Sequence, residues 1–159
     1  MQGAKLIPLE APLATHIEEV RSEIRSLLRE RGLRATAARI AVLVTLHEKK
    51  SPMTHEQVMG SLPTGGYDRA SVWRILSDLA DCGLLRRMDL GDRSWRYELQ
   101  DACRTISNDH SHFLCESCGD VSCLPPLEVR AKNGTIPDVL LNAEFSVRVM
   151  GRCGVCLAG

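Results

Sequence analysis

Up to Gly83 the apolar positions recur at helical spacing; beyond it they begin to alternate as strands do. Thr15 and Glu18 read as a capping box, after which Ile17, Val20, Ile24, Leu27 and Leu28 form one stripe that Gly32 stops. Thr36 can cap a second helix carrying Ile40, Leu43, Val44 and Leu46. A third, short helix starts at Thr54, with Gln57 completing another capping box, and ends before Pro63. Asp68 caps a fourth, which Gly83 ends. Its apolar stripe is Val72, Ile75, Leu76 and Leu79, while Arg69, Trp73 and Ser77 fall on the other side with Arg74 beside them. A tryptophan between arginines on a solvent face needs a reason to be there. Leu84–Met88 and Ser94–Leu99, joined by a turn at Asp89–Asp92, then read as a hairpin. Three to four helices followed by a two-stranded ribbon predict a winged helix-turn-helix, whose fourth helix would enter a DNA major groove.

The rest of the chain predicts a small α/β unit. His112–Cys115 and Asp120–Leu124 are candidate strands, Leu127–Lys132 a candidate helix, and Ala143–Gly151 a strand leading into Cys153. The expected fold is therefore α+β. It comprises an N-terminal arm (1–13), a winged-helix DNA-binding domain (14–99), a polar hinge (100–109) and a metal-binding domain (110–159). No apolar run approaches the ~20 residues of a membrane helix.

Composition adds little by itself, because 20 Lys/Arg balance 20 Asp/Glu. Zero net charge argues against a protein that coats nucleic acid nonspecifically. The part up to Leu99 holds 15 basic against 13 acidic residues, which permits a small, shaped DNA-binding face.

Cysteine placement changes the picture more. Six of the 7 cysteines follow residue 102, and Cys115-x-x-Cys118 is answered by Cys153-x-x-Cys156. Each turn lets both sulfurs reach one ion, and two turns supply the four thiolates of a tetrahedral zinc cage. A thioredoxin-like pair would need no partner pair, and 7 is an odd number for disulfides. The beginning of the sequence shows no basic-then-apolar secretion pattern, so the expected setting is a reducing cytoplasm. A unit this small has little core, and structural zinc would compensate with roughly 10–16 kcal/mol. Patterns for zinc deaminases, His-Glu-x-x-His proteases and phosphate-binding loops are absent, so no enzyme is expected.

With these residues in place, the chain resembles the ferric uptake regulator family of metal-sensing repressors. Arg34-Ala-Thr-Ala-Ala-Arg39 is similar to the family's "R-x-T-x-x-R", and Ala70-Ser-Val-Trp-Arg-Ile-Leu76 to its "A-T-V-Y-R-x-L", with Ser71 and Trp73 substituted. His110-Ser-His112-Phe-Leu-Cys115-x-x-Cys118-Gly119 resembles its metal signature. The resemblance implies a homodimer that reads double-stranded operator DNA and takes neither a membrane nor a small-molecule substrate as partner. It also implies one structural zinc per chain on Cys115, Cys118, Cys153 and Cys156. A second, regulatory divalent metal would sit near the hinge on Cys103, His110, His112 and Cys123, with Glu98 and Asp89 in reserve. Cys123 stands where the family usually has an acid, and Pro52 where iron and peroxide sensors often have a histidine. Two thiolates with imidazole favour zinc over ferrous iron or manganese. The pattern is thus most similar to the zinc uptake regulators, which control metal-uptake genes. The alternatives are an iron-, manganese- or peroxide-responsive regulator of this family, or a redox-triggered DNA-binding protein with only structural zinc. DNA contacts are expected from Arg34, Arg39, Arg69, Ser71, Trp73 and Arg74.

Overall fold

The computed structural model describes residues 11–100, 111–130, 132, 134–135, 137–140, 143 and 147–159. The first part contains α1 (Ala11–Glu30), α2 (Ala37–Lys49), β1 (Met53–Thr54), α3 (His55–Ser61), α4 (Arg69–Asp81), β2 (Leu85–Asp89) and β3 (Trp95–Leu99). The caps at Thr36, Thr54 and Asp68 form as predicted, including the reciprocal Thr54–Gln57 box. Helix α1 begins earlier than a box at Thr15 and Glu18 requires. Pro12 lies in its first turn, where no intrahelical N–H is lost, and Glu18 pairs with Arg25 at 2.9 Å. Helices α1 and α4 both end on a left-handed glycine. At Gly32 the following N–H, of Leu33, returns to Leu28, and at Gly83 that of Leu84 returns to Leu79.

The apolar stripes meet in one core. Ile24 and Leu28 of α1, Val42, Leu43 and Leu46 of α2, Val58 of α3, and Val72, Leu76 and Leu79 of α4 are all buried there. The wing closes it with Leu85, Tyr97 and Leu99. Full burial of side chains of this size stabilises by roughly 1.5–3 kcal/mol each. The ribbon is a three-stranded antiparallel sheet in the order β1-β3-β2, rather than two-stranded as predicted. β1 is two residues long, too short to register as a strand pattern.

Strand β3 is central and buried on both faces. Tyr97 and Leu99 face the helical core, whereas Arg96 and Glu98 alternate with them and face the C-terminal unit. That unit holds β4 (His112–Cys115), β5 (Val121–Cys123), a 3-10 turn (Asp138–Leu140), β6 (Val149–Gly151) and α5 (Gly154–Ala158). Its sheet runs β5-β4-β6, with β4 antiparallel to β5 and parallel to β6. The predicted helix at Leu127–Lys132 is not there: residues 127–130 have no regular structure. Leu127 and Val129 are 50% and 70% exposed, so no buried face repays helix formation in so short a segment. Of the predicted strand from Ala143, only Val149–Gly151 is paired among the described residues. Among those residues no helix is long and apolar enough to cross a membrane.

Candidate metal centres and nucleic-acid face

Parallel pairing of β4 with β6 sets Cys115 opposite Gly151, so the two cysteine turns leave the same end of the sheet. The N–H of Glu116 bonds Gly151 O at 2.7 Å and that of Gly119 bonds Cys115 O at 2.9 Å, which folds the first turn back on itself. Gly119 is left-handed, with φ +73. The Sγ atoms of Cys115, Cys118, Cys153 and Cys156 all lie within 4.8 Å of one another. Cys118 and Cys153 are 3.9 Å apart at sulfur. A disulfide would need about 2.05 Å. Four sulfurs each about 2.3 Å from a tetrahedral ion would be about 3.8 Å apart. The cage fits a zinc-sized ion and not a bonded pair.

The thiols differ in acidity. The backbone N–H groups of Cys118 and then Cys153, the latter 3.3 Å from the sulfur, hold Cys115 down to about 6. The Cys153 side chain, followed by that of Cys118, pushes Cys156 up to about 12. Cys118 is pulled down by the N–H of Asp120, but the Cys115 side chain and desolvation together outweigh this and raise it. One thiolate forms readily and its neighbours then resist ionising, so a fully ionised cage calls for a cation.

A second cluster spans the two parts of the molecule. Glu98 of β3, His112 of β4 and Cys123 of β5 bring one ligand atom each within 4.8 Å of one another. His112 Nε2 lies 3.4 Å from Glu98 Oε1, and Cys123 Sγ is 4.0 Å from it. Register accounts for half of this, since His112 and Cys123 are directly paired across β4 and β5. The Cys123 thiol also reaches Lys50 O, just past α2, at 3.3 Å. Glu98 is 6% exposed, and nitrogen, oxygen and sulfur donors in one place suit a divalent ion. Asp89 is elsewhere: it pairs with Trp95 at the far end of the hairpin, and its Oδ1 accepts from Gly91 N at 2.7 Å. Cys103 and His110 lie outside the described residues.

Helix α4 presents Arg69, Trp73 and Arg74 to solvent, with Trp73 56% exposed. Arg69 is ion-paired with Glu56 of α3. Ser71 is half-buried, its N–H held by Asp68. Arg34 is exposed before α2. Arg39 is occupied otherwise: it bonds Asp78 at 2.9 Å and Arg34 O at 3.2 Å, tying α2 to α4. The hydrophobic pattern missed one aromatic on this face. Trp95 opens β3, is 54% exposed, and carries the Arg87 guanidinium 4.5 Å over its ring. Trp73 and Trp95 line one cleft of about 290 Å³ between helix and wing. An aromatic at an exposed strand start beside arginines was the signal available for it.

Residues 30–137 match the ferric uptake regulator family. The transcriptional regulator FurA of Mycobacterium tuberculosis is 30% identical over 138 residues, covering 81% of this chain and 86% of that protein. The peroxide operon regulator of Bacillus subtilis is 28% identical over 102 residues, 62% of this chain; the match spans 66% of that regulator's length. Among solved structures, a zinc uptake regulator complexed with zinc and DNA shares the fold. Its TM-score is 0.54 at 18% identity, over 89% of this chain and 95% of that one.

Proposed function

The chain belongs to the ferric uptake regulator family, and from that premise we propose that it is a zinc-responsive repressor of metal-uptake genes. It acts in the cytoplasm as a homodimer that binds operator DNA. The observation that carries this reading is the convergence of Glu98, from the wing, with His112 and Cys123, from the C-terminal sheet. A divalent cation held there supplies positive charge that links β3 to β4 and β5. Glu98 stands one residue before the end of β3, so fixing it to His112 fixes the angle between wing and C-terminal sheet. Two DNA-binding heads must match successive major grooves, and that angle sets their spacing. The shift in DNA affinity is limited by how differently the two geometries hold the metal.

Cys103 and His110 would complete the regulatory set. A cysteine among the donors favours zinc over manganese or ferrous iron. The four-cysteine cage holds the structural zinc. Trp73 and Arg74 read bases, while Arg34, Arg69 and Ser71 contact the backbone; Arg39 serves the α2–α4 tie first. Exposed Val129, Val139, Val147 and Leu157 give the C-terminal unit apolar surface for a second copy. The regulators named above support a transcriptional regulator of this family, and the solved neighbour with zinc and DNA shares its fold; the choice of zinc rests on the donor set.

Elemental analysis and selection from a random duplex DNA pool test it together. Zinc should stand at roughly two ions per chain and fall to roughly one after dialysis against a mild chelator. Selection should enrich a two-fold-symmetric site only with the fuller complement. A constant single zinc, with enrichment that ignores metal, would overturn the zinc-sensing reading.

A further inference from the structure

Two charged side chains are buried among the described residues, Glu98 and Arg96, and the metal reading accounts only for the first. Arg96 sits mid-sheet in β3, paired with Thr54 on one side and Met88 on the other, and is 2% exposed. Its Nη1 donates to Asp92 Oδ1 at 2.7 Å, inside the wing turn. Its Nη2 donates to Gly119 O at 3.1 Å, in the residue that closes the Cys115–Cys118 turn. Its Nε is buried without a partner. A buried guanidinium is costly unless its fork is engaged, and here the engagement joins two domains.

The same wing turn is touched from the other half of the cage. A methyl placed on Gly91 would lie 2.5 Å from Arg148 Nη1, so the guanidinium occupies the space a side chain there would need. Gly91 is also left-handed, with φ +101, which excludes most other residues. Arg148 directly precedes β6, and β6 delivers Cys153. Each cysteine pair therefore carries its own contact to residues 91–92. One runs through Gly119 and Arg96, the other through Arg148.

We propose that Arg96 and Arg148 are positioning residues that make the wing turn answer to the state of the four-cysteine cage. With the cage closed on its ion, Gly119 and Arg148 are held at fixed separation and clamp the turn between them. With the cage open, the two halves part and the wing turn loses both contacts. The cage then controls the DNA-binding face as well as the fold of its own unit. The proposal rests on the reading that these four cysteines hold zinc.

The test uses the full chain with Trp73→Phe, which leaves Trp95, at the start of β3, as the sole tryptophan. Acrylamide quenching of Trp95 is measured alongside zinc per chain, after mild dialysis has cleared the Glu98–His112–Cys123 cluster. Stripping the remaining zinc should raise the quenching constant roughly twofold, as a half-covered ring approaches full exposure. Arg96→Met should show the raised value with its zinc still bound, and stripping should add little. Arg148→Ser should fall between. Should Arg96→Met fail to fold, Asp92→Asn removes the same ion pair from a more exposed position and should give the same result. Parent-like quenching in the zinc-loaded variants would overturn the proposal while leaving the zinc site standing. A cage that never holds zinc would overturn both.

Discussion

In the four-cysteine cage, each ligand pair comes from a single turn of chain, and one short parallel pairing brings the turns together. Glu98, His112 and Cys123 instead come from three strands in two sheets, and nothing local in the sequence links Glu98 to the others. The first site supports the unit that contains it, and its ligands include exposed Cys118. The second exists only when two units are already packed, and its carboxylate is buried between them. A metal held by one folding unit stabilises that unit. A metal held across two units would report their relation, as the switch proposed above requires.

The sharpest way to break this contrast is Cys118→Ser. It should forfeit a large part of the roughly 10–16 kcal/mol that structural zinc supplies. The C-terminal unit should then lose its cooperative unfolding while the helical core, with its own buried cluster, keeps its far-ultraviolet dichroism. Zinc retention with an intact second unit in this variant would show that the cage is not what holds it together.

Acidity gives the next largest effect. Cys156 lies near 12 and Cys118 is raised above its ordinary 9.0, so both carry protons at neutral pH until the ion displaces them. Zinc affinity of the cage should climb by at least about a hundredfold per pH unit between roughly pH 6.5 and 8, about tenfold for each thiol proton displaced, and weaken as pH falls. Cys115, already down at about 6, is largely ionised across that range and steepens the loss only below it. The mixed cluster has fewer thiol protons to displace, so its slope should be shallower. Competition titrations with a chromogenic chelator at several pH values would separate the two, and equal slopes would remove the distinction in donor chemistry.

Cys123→Ser addresses the other side of the comparison. It should weaken the cluster between wing and C-terminal sheet by at least roughly tenfold, the scale on which metal sites respond to altered shells. The cage should keep its zinc and the unit its melting transition. Loss of both metals together would mean that the sites are one cooperative structure rather than a staple and a switch.

How much of this was legible in the sequence follows the same division. The caps at Thr36, Thr54 and Asp68, the core stripe of α4 and the paired cysteine turns are local, and they stand where pattern and spacing put them, whereas the box read at Thr15 and Glu18 falls inside α1. β3 was legible as an alternating strand, but alternation could not say that Arg96 and Glu98 would be covered. Burial of that face comes from the other unit, far along the chain. Asp89 and Glu98 are equivalent by composition, and hairpin register alone sends one to the turn and the other to the cluster. The segment at 127–130 failed for the opposite reason. Its local pattern suggested a helix, yet among the described residues its apolar side chains, Leu127 and Val129, are exposed and bury no face against which a helix could be laid.

The smallest predicted effect lies one residue beyond the largest. Gly119 is left-handed at φ +73, but a methyl built on it meets nothing within 4 Å. Gly119→Ala therefore incurs only backbone strain, about 1–2 kcal/mol. Its carbonyl still accepts from Arg96, and its N–H still reaches Cys115 O. The melting temperature should fall by roughly 2–8 °C, with the zinc count and Trp95 quenching unchanged. Set beside Cys118→Ser, this separates what the turn owes to its glycine from what it owes to its thiolate. If Gly119→Ala instead emptied the cage, turn geometry rather than ligand chemistry would be what gathers the four sulfurs.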